Sequence, residues 1–342
     1  MVRLIPSSLR PVLAAGLIVC ALACLAAITA EAAGVPGLYQ AEVEFDGDRD
    51  AAFREALGQV LVRITGRRDI AGREEAQPLL EDAGTFAQQF RQPAPDRLWA
   101  GFDGPALERA LAERGLPVWG AERPSTLLWI AVDAGAGRRF VLASTAEFEG
   151  EGEIREDLAS AAARRGLPLV FPLMDAEDRA RASFAEVWGG FDDSILAASE
   201  RYGVDAVLVG RISLDDPGHG RWTLLGTDGG QRWSGGVAES IDRLADLFAA
   251  RFAVVAAGEA RTLRVAITGI ETIDDYGRVS RFLGSLTAIE ALSVETVEPE
   301  RMVFRARLRG EPATLDEAVR LGGLLRPEPD PGPHELSYRV TR

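Results

Sequence analysis

Apolar positions along this chain switch between two periods, and the switches mark out the elements it predicts. Leu38, Ala41, Val43 and Phe45 alternate with polar residues and predict a strand over 38–45. Phe53, Leu57, Val60, Leu61 and Ile64 then recur at helical spacing, with Asp48 or Asp50 placed to cap that helix and Gly66 to close it. A second helical patch surrounds Leu79-Leu80. Residues 86–90 and 98–102 read as strands paired around Pro93-Ala94-Pro95, 107–114 as a helix ended by Gly115, and 116–119 as extended chain.

A Leu- and Ile-rich strand follows over 126–132, then an acidic exposed loop in which Glu147, Glu149, Glu151 and Glu153 are interleaved with Gly150 and Gly152. A helix over 154–165, a stop at Gly166 and a strand over 167–171 form one unit, and 194–212 repeats it with Gly203 as the stop. Ala206-Val207-Leu208-Val209 is apolar on both sides, the pattern of a strand buried on both faces of an α/β sheet. Residues 221–225 and 231–234 flank Thr227-Asp228-Gly229-Gly230, a hairpin signal. Ile241, Leu244, Phe248, Phe252 and Val255 lay an apolar stripe along a helix. The remainder predicts a strand at 263–268, a helix at 276–286, strands at 292–297 and 302–308, a helix at 315–325 and a closing strand at 336–340. A stiff proline-rich connection at 326–333 precedes that last strand, and the βαββαβ order is ferredoxin-like.

These elements group into an α/β (α+β) fold of three small sheet-plus-helix domains, at 34–122, 123–258 and 261–342, the last of them ferredoxin-like. A length of 342 residues exceeds what one core organises, and 47% apolar with 26% charged residues excludes a generally disordered chain. Residues 1–32 stand apart as a signal peptide. Arg3 and Arg10 precede a 17-residue apolar run at 12–28, and Ala30, Ala32 and Ala33 supply a small-residue cleavage site. An uncleaved anchor and a lipoprotein site around Leu22-Ala23-Cys24 are the other readings of this segment, and Ala21 stands where the latter requires Leu. The reading therefore places the protein in the periplasm, with inner-membrane anchoring as the alternative.

Export changes the chemistry available. Cys20 and Cys24 are the only cysteines and both precede the cleavage site, so the mature chain has no disulfide, thiolate nucleophile or zinc–thiolate site. All 38 basic residues are arginine, which removes Schiff-base chemistry as well. Losing Arg3, Arg10 and Glu31 subtracts a net +1 and takes the formal charge from −14 to −15, a balance that disfavours nucleic acid and anionic membrane as partners. Membrane contact is expected only through a retained amino-terminal anchor.

No Walker loop, dinucleotide glycine fingerprint or G-x-S-x-G elbow is present, and no cofactor is expected. His219 and His334 are the two histidines, both in Gly/Pro loops without a triad partner in sequence. Asp215, Asp216 and His219 form the best metal-like cluster, although Asp215-Asp216-Pro217-Gly218 equally reads as a strand-ending turn. Asp46, Asp48 and Asp50 imitate a calcium loop, but Ala51 and Leu57 stand where glycine and a bidentate Glu are required. The loop Val187-Trp188-Gly189-Gly190-Phe191-Asp192-Asp193 is the most suggestive. Trp188, Phe191 and Asp192 are its candidate binding residues, with Asp192 or Asp193 capping the next helix and anchoring of the aromatics in the core as the competing account. Arg305, Arg307 and Arg309 alternate with apolar residues and make one strand face basic, which reads as a solvated outer face.

Five segments taken together resemble a known family. Leu38-Tyr39-Gln40-Ala41-Glu42-Val43, the run from Ala56 through Gly66, Leu116-Pro117-Val118-Trp119-Gly120, Trp188-Gly189-Gly190-Phe191-Asp192 and the run from Arg201 through Arg211 are similar to the proteobacterial domain of unknown function DUF 2066, over about residues 36–240. That resemblance implies no reaction and no catalytic residues. The middle block is also similar, in fold alone, to amino-terminal domains of TolB/CsgG-like periplasmic assembly proteins. The functional expectation is a non-catalytic binding or assembly protein of the Gram-negative envelope whose partner is another envelope protein. The alternative is a metal-assisted or carboxylate-based hydrolase using Asp215, Asp216 and His219.

Overall fold

The computed structural model describes residues 35, 37–145, 150–226, 230–255, 261–298, 301–321, 323–329 and 335–341. All lie in the compact unit Gly34–Arg342. Residues 1–34 with Cys20 and Cys24, Glu147, Glu149, most of the hairpin turn at 227–230, His334 and part of the proline-rich connection lie outside the described residues.

The first layer follows its polarity pattern. Strand β1 (Gln40–Glu44) alternates exposed and buried residues and leads to helix α1 (Arg49–Thr65), whose cap is Asp48: its carboxylate accepts from the N–H groups of Asp50 and Ala51. Gly66 ends α1 at a φ of 70°, and a Cβ there would lie 2.3 Å from the Cβ of Ala249, so both backbone and packing require glycine. Short helices α2 (Gln77–Glu81) and α3 (Ala83–Phe86) precede strands β2 (Ala87–Ala94) and β3 (Arg97–Phe102), which pair antiparallel in the order β1-β3-β2. Helix α4 (Gly104–Glu113) and strand β4 (Pro117–Val118) complete this layer around Leu57, Leu61, Ile64 and Leu107.

The second layer is built on β5 (Thr126–Asp133), buried on both faces. The chain continues through β6 (Arg139–Val141), α5 (Glu151–Arg165), β7 (Leu169–Val170), α6 (Ala176–Arg181), α7 (Phe184–Gly189) and α8 (Asp192–Ser199). Strands β8 (Ala206–Ser213), β9 (Asp216–Leu225) and β10 (Gln231–Gly235) follow, then α9 (Val237–Phe252) and β11 (Val254–Val255). The sheet runs β10-β9-β8-β5-β6, with β7 also on β5; β7 and β8 are parallel to β5. One face, including Leu128, Leu208 and Trp222, packs on α5 and α9. The other, including Trp129, Val207 and Val209, packs on α7 and α8.

Several predicted bounds move. Helix α5 starts at Glu151, and that glutamate is buried rather than looped out, its Oε1 accepting from Ala143 N–H at 2.9 Å. Val255 leaves the α9 stripe to pair Pro117 in the β4–β11 ladder. Asp216-Pro217-Gly218 belong to β9, and the turn is at Leu214-Asp215. Helices α6 and α7 have no counterpart in the apolar pattern: each is six residues long, too short to develop a periodic stripe.

The third layer comprises β12 (Arg261–Thr268), α10 (Ile273–Ser285), β13 (Ile289–Val297), β14 (Arg301–Leu308), α11 (Pro312–Leu321), β15 (Leu325–Pro327) and β16 (Glu335–Val340). Its sheet order is β13-β14-β12-β16-β15. The split βαβ half β12–α10–β13–β14 matches the ferredoxin-like expectation in order and direction. The second half departs from it, because β16 is parallel to β12. Leu325 and Arg326, which the sequence places in a helix end and a stiff connection, form the edge strand β15, and β16 lies between β15 and β12, antiparallel to the first and parallel to the second.

Two buried arginines tie the first layer to the second. Arg123 donates to the carbonyls of Gly120 (2.7 Å), Trp119 (2.8 Å) and Arg63 (2.9 Å), and its guanidinium lies 3.6 Å from the Trp119 ring centroid. Burial is the main force lowering its pKa, to about 9. Arg165 donates to Asp242 Oδ1 (2.8 Å), Asp246 Oδ1 (2.7 Å) and the Gly66 carbonyl (2.8 Å), plugging the end of α1 from α5.

Candidate functional site

Trp188, Phe191 and Asp192 come together at the junction of α7 and α8, as a helix end and not as a loop. A capping box starts α7: Ser183 N–H donates to Glu186 Oε2 at 2.9 Å, and hydrogen bonding from Ser183 lowers the Glu186 pKa. Gly190 ends it at a φ of 75°, where a Cβ would lie 2.4 Å from Arg211 Nη2. Trp188 sits on the last turn, half-buried and stacked on Phe184 with ring centroids 5.3 Å apart. Phe191 is 60% exposed, so the anchoring account holds for the Trp and fails for the Phe. Neither Asp192 nor Asp193 caps α8 through its side chain, since Phe191 occupies that position. The Asp192 carboxylate instead accepts from Arg232 at 3.3 Å. Leu196, one turn further along α8, is 41% exposed.

The partner Arg232 leads to what the linear reading missed. Val207 and Val209 place alternate β8 side chains under α7 and α8, and the same alternation puts Arg211 on that face. Register sets Arg211 opposite Arg221 across β8–β9, and Arg232 opposite Thr223, diagonal to Arg221, across β9–β10. Three adjacent strands thus present three arginines on one face beside Trp188 and Phe191. Arg211 Nε donates to the Val187 carbonyl at 3.1 Å, an acceptor that the end of α7 leaves open. The Arg221 guanidinium lies 5.9 Å from the Trp188 centroid. Burial, then the charge of Arg221, lowers the Arg211 pKa. Neither Arg211 nor Arg221 has a carboxylate within ion-pair reach among the described residues; Asp192 is the acid of the row, and it pairs Arg232. The signal available in sequence was the hairpin, whose register brings Arg232 close to Arg221. Bringing in Arg211 required the β8–β9 pairing.

Asp215, Asp216 and His219 do not gather into a metal site. His219 Nδ1 and Asp216 Oδ1 are 2.7 Å apart on the exposed hairpin, and Asp215 lies in its turn. The hydrogen bond to Asp216 raises the His219 pKa. Among the described residues no group of three or more His, Cys, Asp or Glu is arranged to hold a metal ion. The hydrolase alternative loses the convergence it needed.

Arg305 and Arg307 occupy a solvent face and are paired there, Arg305 with Glu295 (3.3 Å) and Arg307 with Glu290 (2.6 Å). Two clefts lie elsewhere. One of about 650 Å³ is bordered by Gly66, Arg68, Asp246 and Val255. The other, about 290 Å³, opens between the end of β6 and α7 and is bordered by Arg139, Glu151, Met174 and Phe184. Neither includes Trp188, Phe191 or the arginine row.

Fold and face together define an α+β protein with three sheet layers and a cationic, aromatic-flanked sheet surface. A family model described as Domain of unknown function (DUF8605) matches residues 32–120, the part of the chain that carries the first layer, and it is a different family from DUF 2066. No match was found among curated proteins. No helix of the described residues is long and apolar enough to cross a membrane.

Proposed function

We propose that this chain is a non-catalytic, periplasmic binding or assembly protein of the Gram-negative envelope, and that it engages another envelope protein through the face bearing Phe191 and the arginine row. The observation that carries the reading is Phe191, 60% exposed beside Arg211 and Arg221, two arginines without a carboxylate partner among the described residues. Aromatic side chains and arginine are enriched in protein–protein contacts over the rest of the surface. The leader at 1–32 supports export, and the likeness to DUF 2066 over 36–240 belongs to the same reading.

Affinity capture from envelope extracts, with mass spectrometry of what is retained, tests it. The parent chain retains a partner that Phe191→Ala and Arg221→Glu each lose. Equal recovery of every protein by all three chains rejects the face as the contact.

A further inference from the structure

The chain contains its own template for what completes the arginine row. In the third layer Arg264 stands opposite Arg305 across β12–β14, the same like-charge pairing as Arg211 opposite Arg221. There Glu295, at an irregularity in β13, places one carboxylate between them, 3.2 Å from Arg264 and 3.3 Å from Arg305. Like charges opposite each other in an antiparallel pair are destabilising, and a shared carboxylate reverses the sign. In the central sheet no carboxylate of the described residues lies between Arg211 and Arg221, Asp192 being held by Arg232, while Phe191 at the α7–α8 junction and Leu196 on α8 are exposed.

We infer that the partner of this face is an acidic protein segment with apolar residues next to its carboxylates. One Asp or Glu enters between Arg211 and Arg221, as Glu295 does between Arg264 and Arg305, and an adjacent apolar side chain lies on Phe191 and Leu196. This rests on the binding reading above and adds the chemistry of the partner. A formal charge of −14 favours a short acidic segment over a polyanion such as nucleic acid or an anionic bilayer. The segment needs only the local island, whereas an extended polyanion meets the repulsion of the whole surface.

The test uses the full chain and a fluorescein-labelled ten-residue peptide alternating Glu and Leu, followed by anisotropy. Comparison probes are the Gln–Leu peptide, inorganic phosphate as competitor, and phosphatidylglycerol vesicles. The expected result is binding of the Glu–Leu peptide that weakens with salt, falls about tenfold or more in Arg221→Glu and in Arg232→Gln, and is lost in the Gln–Leu peptide. Both arginines are exposed, and unchanged circular dichroism separates lost contact from lost fold. Equal binding of the Gln–Leu peptide, indifference to both substitutions, or vesicles and phosphate binding through these arginines where the peptide does not, each overturns the inference. Partner capture that depends on Phe191 while the peptide fails removes the acidic chemistry and leaves the contact face standing.

Discussion

Gly66 shows how much one position carries. Its left-handed φ of 70° and the 2.3 Å that would separate an added Cβ from Ala249 act together. Gly66→Ala is expected to cost about 2–4 kcal/mol, combining a left-handed penalty with overpacking, read as a fall in the urea midpoint. Arg165→Ala leaves Asp242, Asp246 and the Gly66 carbonyl without their buried donor, an expected loss of about 3 kcal/mol. Arg68→Ala, at the solvent end of the same cluster, changes stability by under about 1 kcal/mol. His219 offers a pH test. Its pKa is raised by Asp216, so the pair's contribution is complete below the ordinary histidine value, about 6.5, and disappears as pH rises through the raised value. NMR titration of the two histidines should find His219 above that value, and Asp216→Asn should bring it down.

At the element scale, caps were legible where a short polar residue precedes an apolar stripe. Asp48 was one of two candidates for α1 and proved to be the cap. The junction of α7 and α8 was misread because Trp188-Gly189-Gly190 has loop composition; what decides it is Ser183 with Glu186, a box whose helix is six residues long. Caps also set acid sensitivity. Hydrogen bonds from Arg201, then the Asp178 backbone, lower the Asp175 pKa to about 2, and those from Thr272 and Arg278 do the same for Asp275. The stability these carboxylates contribute is complete above the ordinary Asp value of about 3.9 and is lost as pH falls through about 2. Asp175→Asn should accordingly differ from the parent in urea midpoint at pH 5 and converge with it at pH 2.

For the whole molecule, the apolar clusters of the three layers, two of them on opposite faces of the central sheet, are stitched at β4–β11 and by Arg123 and Arg165. Trp99 lies in the first layer and Trp129 in the second, so fluorescence of single-tryptophan chains can follow them separately. The parent should unfold at one urea concentration by both probes. Arg123→Ala, which strands the carbonyls of Arg63, Trp119 and Gly120, should lower stability by about 2–4 kcal/mol and separate the two transitions. Coincident transitions in that variant would mean the layers are coupled by other contacts.

The amino-acid sequence by itself determined most elements and their faces, because apolar period, capping residues and helix-ending glycines are local properties. Leu57 is a core residue by its helical spacing and Val209 by its place in an unbroken apolar run, and both are buried. Tertiary structure alone decided direction and register. Whether β16 runs parallel to β12 depends on the edge strand β15, and whether Arg211, Arg221 and Arg232 form a site depends on two strand pairings. Arginines ten and eleven residues apart carry no mutual signal along the chain, and they meet because antiparallel pairing converts distance in sequence into adjacency across a sheet.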